Sequence, residues 1–151
     1  MQFIKKHKWI SVILFLLILF GIWNLIWYVT VQNRYEPFLK AVPEGQSGVH
    51  ATQEGSFMYN VKTPDYLTFT GNLGISDFDR GLSLIIWPLM NGDYKYGVRI
   101  IGKDGLTHEL MMDENKQLID STNETVVRIV EENKDLINLV YSKANEKFDL
   151  K

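Results

Sequence analysis

The chain has 151 residues, no cysteine, and 16 Lys and Arg against 18 Asp and Glu. That length holds one folded domain with its own core, and the missing thiols exclude disulfides, thiolate metal sites, iron–sulfur clusters, thiol catalysis and a lipid-modified cysteine anchor. Lys5, Lys6 and Lys8 precede the first long apolar run. The 13 remaining basic residues against 18 acidic ones leave everything after that run at −5, which argues against nucleic acid as a partner.

The apolar run, "WISVILFLLILFGIWNLIWYV", carries no ionisable side chain from Trp9 to Val31 apart from the phenol of Tyr28. About twenty helical residues match the thickness of a bilayer's hydrocarbon core. Trp9 stands at one end, and Trp23, Trp27 and Tyr28 crowd the other, the aromatic-belt pattern of a helix that stays in a membrane. A cleaved signal has a shorter apolar region and a small-x-small site, and neither is present. The expectation is an uncleaved signal-anchor over residues 9–31, with a cytoplasmic basic tail at 1–8. Lys5, Lys6 and Lys8 set the topology, N-terminus inside and the rest outside the cytoplasm. Asn24 lies close enough to the outer end to reach water. A bare lysine-flanked anchor of this kind suits a bacterial membrane.

Residues 32–55, rich in Gly, Ser, Gln and Pro, read as a juxtamembrane linker, with a short helix starting at Pro37 and a loose tether after it. From Ser56 the apolar pattern switches to period two, and residues 56–151 read as one α+β domain. The expected elements are a strand at Phe57–Lys62, a turn at "TPD", a second strand at "YLTFTG", a loop at "NLGISDFDRG", a central strand at "LSLIIWPL", a turn at "NGD", and two more strands at "YKYGVRIIG" and "LTHELMM". "DENK" turns the chain again, and "QLID" adds a short edge segment. With Lys103-Asp104-Gly105 as a three-residue loop, Val98 faces Leu110, Tyr96 faces Met112, Arg99 faces Glu109 and Lys95 faces Asp113, so apolar meets apolar and opposite charges meet. In outline this hairpin resembles those of small extracytoplasmic β-modules such as PepSY-like domains, although strands stand here where such a module has a helix, and no residue role carries over.

"STNETVVRIVEENKDLINLVYSKANEKF" then reads as an amphipathic helix. Ser121 and Glu124 form a capping box; Val126, Val130, Ile137, Val140, Ala144 and Phe148 line one face, with Asn133 interrupting. Val127, Leu136 and Leu139 widen the apolar arc. The expected fold is an N-terminal transmembrane helix followed by an antiparallel meander of about five strands, covered on one face by a C-terminal helix.

No motif carries catalysis, and neither a cofactor nor a metal is expected. "DFDRG" sets Asp77 and Asp79 two residues apart, but Gly81 and Pro88 stand where a calcium loop needs ligands. His108 with Glu109 and the Asp77–Asp79 pair form the one set an envelope hydrolase could use. Asn123-Glu124-Thr125 fits the glycosylation sequon. Tyr59, Tyr66, Trp87, Tyr94 and Tyr96, with Phe69, line either a binding surface or the core. The expectation is therefore a single-pass membrane protein whose outer domain acts by contact with another membrane or envelope protein; a small-ligand or glycan binder is the alternative.

Overall fold

The computed structural model describes residues 8–45, 48–103, 105–119 and 123–150. It opens with α1, Lys8–Val29, a helix apolar on all sides with no buried residue. A wide π-helical turn, Thr30–Tyr35, follows, and α2, Glu36–Ala41, continues it without a break in direction of winding. The Thr30 hydroxyl donates to the Ile26 carbonyl at 2.9 Å, a back-bond that bends helices. Pro37 has no N–H to return to the turn before it, and a widened turn is where a helix accommodates that loss. From Lys8 to Ala41 the helix runs 34 residues and is long and apolar enough to cross a membrane. Asn24 satisfies its own amide by donating to the Phe20 carbonyl at 2.7 Å.

Six strands then form one antiparallel sheet in chain order: β1 His50–Glu54, β2 Phe57–Lys62, β3 Asn72–Asp77, β4 Leu82–Pro88, β5 Tyr94–Ile101 and β6 Thr107–Met112. The β5–β6 register pairs Tyr96 with Met112, Val98 with Leu110 and Arg99 with Glu109, as the charge and apolar alternation expects. Gly102 and Leu106 close its loop, with Gly105 left-handed at φ 77°.

One face of the sheet is covered. α3, Glu124–Glu132, and α4, Lys134–Phe148, replace the single helix expected there. The break falls at Asn133, whose amide donates to the Ile129 carbonyl at 2.8 Å and draws the backbone out of helical geometry. Ile137, Val140, Tyr141, Ala144 and Phe148 pack on Tyr59, Val61, Leu73, Ile75, Leu84, Ile86, Tyr96 and Val98. Tyr35, Phe38 and Val42, from the end of the long helix, complete the same core, and the Phe38 and Phe148 rings meet edge to face at 6.0 Å. Each fully buried aliphatic side chain here stabilises the fold by about 1.5–3 kcal/mol.

Four local expectations are corrected. "YLTFTG" is not a strand but a tight loop, because the Asp65 carboxylate accepts from the amides of Leu67 and Thr68 at 3.1 and 2.7 Å and from the hydroxyls of Thr68 and Thr70 at 2.6 and 3.2 Å. The strand comes one segment later, β3, where a loop was expected: Leu73 and Ile75 face the core and Gly74 lets the Asn60 side chain lie flat across it. The tether contains β1, which pairs with β2 through a two-residue turn at left-handed Gly55 and is tied to α4 by the Lys147–Glu54 ion pair. The helix cap is Asn123, whose Oδ1 accepts the Thr125 amide at 2.9 Å; Ser121 lies outside the described residues. In "QLID", Leu118 bridges to Met112, and Asp120 lies outside the described residues.

Candidate functional site

Alternation along the strands puts the other half of the side chains on the opposite face of the sheet. Among the described residues no helix covers that face. Its centre is one line of cross-strand neighbours: Asn60, Gly74, Ile85, Gly97 and Met111 are successive partners from β2 to β6. Glycines flank Ile85 on both sides, so the line is a shallow trough. The Trp87 ring lies down in it: a Cβ built on Gly97 would sit 2.8 Å from the indole Cη2 and Cζ3. Ile85, Trp87, Gly97, Arg99, Glu109 and Met111 line a hollow of about 220 Å³. Trp87, Ile85 and Met111 are each half-buried.

Polar groups rim the trough. Arg99 grips Glu109 through two hydrogen bonds, 3.0 Å from Nε and 2.6 Å from Nη2 to the same oxygen. On the neighbouring strands Ser83 donates to Ser76 at 2.9 Å. An aromatic anchor beside soft aliphatic and thioether side chains, ringed by satisfied polar pairs, is the composition of a protein-contact surface.

The aromatic set named from sequence divides. Tyr59 and Tyr96 are core residues beneath α4, and burial pushes both hydroxyls upward in pKa. Tyr94 packs beside Tyr96 at the sheet's end, 6.4 Å between ring centres. Tyr66 and Phe69 belong to the Asp65–Thr70 loop and pack on the long helix. The Trp23 indole donates to the Tyr66 carbonyl at 3.2 Å, the Trp23 and Phe69 rings are 4.7 Å apart, and Trp27 and Tyr66 are 5.6 Å apart. Only Trp87 stands on the uncovered face. For its neighbours Gly97, Ile85 and Met111 the sequence offers one signal, a glycine inside the strand pattern "YKYGVRIIG".

Trp9 and Tyr28 are exposed on α1, and Trp23 and Trp27 face the domain. Lys8 is the first residue of α1; Lys5, Lys6 and His7 lie outside the described residues. Asp77 is 1 % exposed on the core side of β3, where its carboxylate accepts the Arg80 amide at 3.2 Å and pairs with the Arg80 guanidinium at 3.6 Å. Asp79 is exposed in the following turn. His108 is half-buried on the helix side of β6 and Glu109 points the other way. Three strand spacings, about 14 Å, separate β3 from β6. These residues therefore form no joint cleft, and among the described residues no three His, Asp or Glu could hold a metal ion. His50 places Nδ1 3.0 Å from the Val42 carbonyl, a structural contact at the base of β1.

Among the described residues, the exposed acid with a large shift is Asp65, held down at about 2, chiefly by the Thr68 hydroxyl and amide. Comparison with protein-family models, curated proteins and solved structures finds no match to this chain.

Proposed function

We propose that the chain is a single-pass membrane protein, N-terminus inside, whose sheet domain stands outside the cytoplasm and works by seating another membrane or envelope protein on its uncovered face. The observation that carries this reading is Trp87, half-buried on Gly97 between Ile85 and Met111, on a sheet side that no helix covers among the described residues. Lys5, Lys6 and Lys8 before the apolar run, with no acid among them, support the orientation. At this face, size supports a protein over a small ligand. Sites for drug-sized molecules occupy roughly 300–1,000 Å³, and the hollow here is about 220 Å³ and open. A flat face with one Trp anchor suits a protein surface, where a few aromatic contacts carry most of the energy.

The test is position-specific photo-crosslinking in cells, with the reactive group placed in turn at Ile85 and Met111 on the uncovered face and at Phe78 and Glu131 elsewhere on the domain. The expected result is a discrete adduct from Ile85 and Met111, lost when Trp87→Ala is added. Adducts independent of position, or unaffected by Trp87→Ala, overturn the proposal.

A further inference from the structure

The Asp65–Thr70 loop hangs from the end of the sheet down the flank of the long helix. Trp23 fixes how far it reaches: its indole holds the Tyr66 carbonyl and its ring meets Phe69. Trp23 is not at the end of the apolar run but eight residues inside Val31. Between Lys8 and Trp23 lie only residues 9–22, which as a helix span about 21 Å. A bilayer's hydrocarbon core needs about 30 Å. If Lys8 marks one boundary, Trp23 and whatever touches it stand below the other.

The loop is built for such a place. Its amides at Asp65, Leu67, Thr68 and Phe69 all donate within the loop, to the Thr70 carbonyl, the Asp65 carboxylate and the Asp65 carbonyl. The Thr68 and Thr70 hydroxyls turn inward to the same carboxylate, and the Tyr66 carbonyl takes the Trp23 N–H. Non-helical backbone tolerates an apolar surrounding only when its polar groups are satisfied in this way. At the tip Leu67 points outward, 76 % exposed. Among the described residues the Tyr66 hydroxyl is buried without a partner of its own. An exposed leucine on a loop whose amides and threonine hydroxyls turn inward, level with Trp23, fits a lipid neighbour.

We infer that the Asp65–Thr70 loop is a second membrane contact, which inserts Leu67 into the outer interfacial region of the same bilayer that holds α1. The inference rests on the anchored reading above. It makes the domain a body seated on the lipid at two points rather than one held off by a tether. The second hairpin tip at this end of the sheet, with Met90 68 % exposed, hangs where Arg34 donates to the Asp93 carbonyl, eleven residues further up the helix, and so sits higher.

Because the chain has no cysteine, single cysteines can be introduced and labelled with an environment-sensitive fluorophore at Leu16, Leu67, Met90 and Phe78. Full-length protein is reconstituted in vesicles with and without brominated lipids. The expected result is strong quenching at Leu16 and Leu67, weaker at Met90, and none at Phe78 on the opposite end of the sheet. Quenching at Leu16 with Leu67 no different from Phe78 overturns the loop's insertion and leaves the anchor standing. No quenching at Leu16 overturns the anchor, and the insertion falls with it.

Discussion

The two faces of the sheet are made from the same strands, and they are built by opposite rules. On the covered face large aliphatic side chains repeat without interruption: Leu73, Ile75, Leu84, Ile86 and Val98 are all essentially inaccessible beneath α4. On the uncovered face the strands alternate large with absent: Gly74 beside Ile85 beside Gly97, with Trp87 folded flat over the last. The covered face buries its side chains against α4 and gains its energy within the chain. The uncovered face leaves apolar area half in water, a feature that folding does not require and a partner can use. Under the proposed function, stability and recognition fall on the two sides of one sheet.

Substitutions should separate the two sides. The largest effect is expected from Ile86→Ala or Leu84→Ala, at about 2–5 kcal/mol of unfolding free energy, against under about 1.5 kcal/mol for Ile85→Ala one residue away; denaturation of the full chain in detergent measures both. Equal costs would break the distinction between the faces. Next comes Gly71→Ala, whose Cβ would stand 2.5 Å from the Lys62 carbonyl oxygen and 2.8 Å from the Pro64 nitrogen. Backbone yields less readily than a side-chain tip, so the loss should be about 1–3 kcal/mol, whereas Gly97→Ala meets only the movable end of the Trp87 ring and should spare stability while weakening the crosslink. Glu109→Gln should cost least among the substitutions, about 0.2–1 kcal/mol, because the pair with Arg99 is exposed and screened.

A last, smaller effect concerns pH. The folded Asp65 carboxyl is held at about 2, below its ordinary value near 3.9. A depressed carboxyl contributes stability that is present above the unfolded value and lost as pH falls through the folded one. Amides of Leu67 and Thr68 should therefore lose hydrogen-exchange protection as pH drops from about 4 to about 2, in the native chain and not in Asp65→Asn, which is expected to be unprotected throughout. Unchanged exchange across that window would show that the carboxylate does not hold the loop.

What could be read in the sequence divides along physical lines. The β5–β6 register was legible because two independent patterns, apolar on one side and Arg99–Glu109 on the other, agree on a single alignment. β1 was not, because "HATQE" is an edge strand with no apolar alternation, held by backbone pairing and by Lys147 from far along the chain. β3 and the loop before it exchanged roles: the aromatic and threonine residues of "YLTFTG" have strand propensity, but Asp65 gathers their amides locally, while Gly74, which resembles a loop residue, is the space that Asn60 fills. Of the uncovered face, Trp87 stood out as a residue. Its trough did not, since Gly97 and Met111 become neighbours only once β4, β5 and β6 are aligned.

The join between helix and sheet has its own consequence. The 34 residues from Lys8 to Ala41 run as one winding, and its last turns are not outside the domain but inside its core, through Tyr35, Phe38 and Val42. Such a joint has no swivel. A tilt of the shaft's last turns is therefore also a tilt of the sheet that carries Trp87. The π-helical turn at Thr30–Tyr35 is the one place along the shaft where winding can be taken up or let out, so it sets the azimuth at which the trough faces the world.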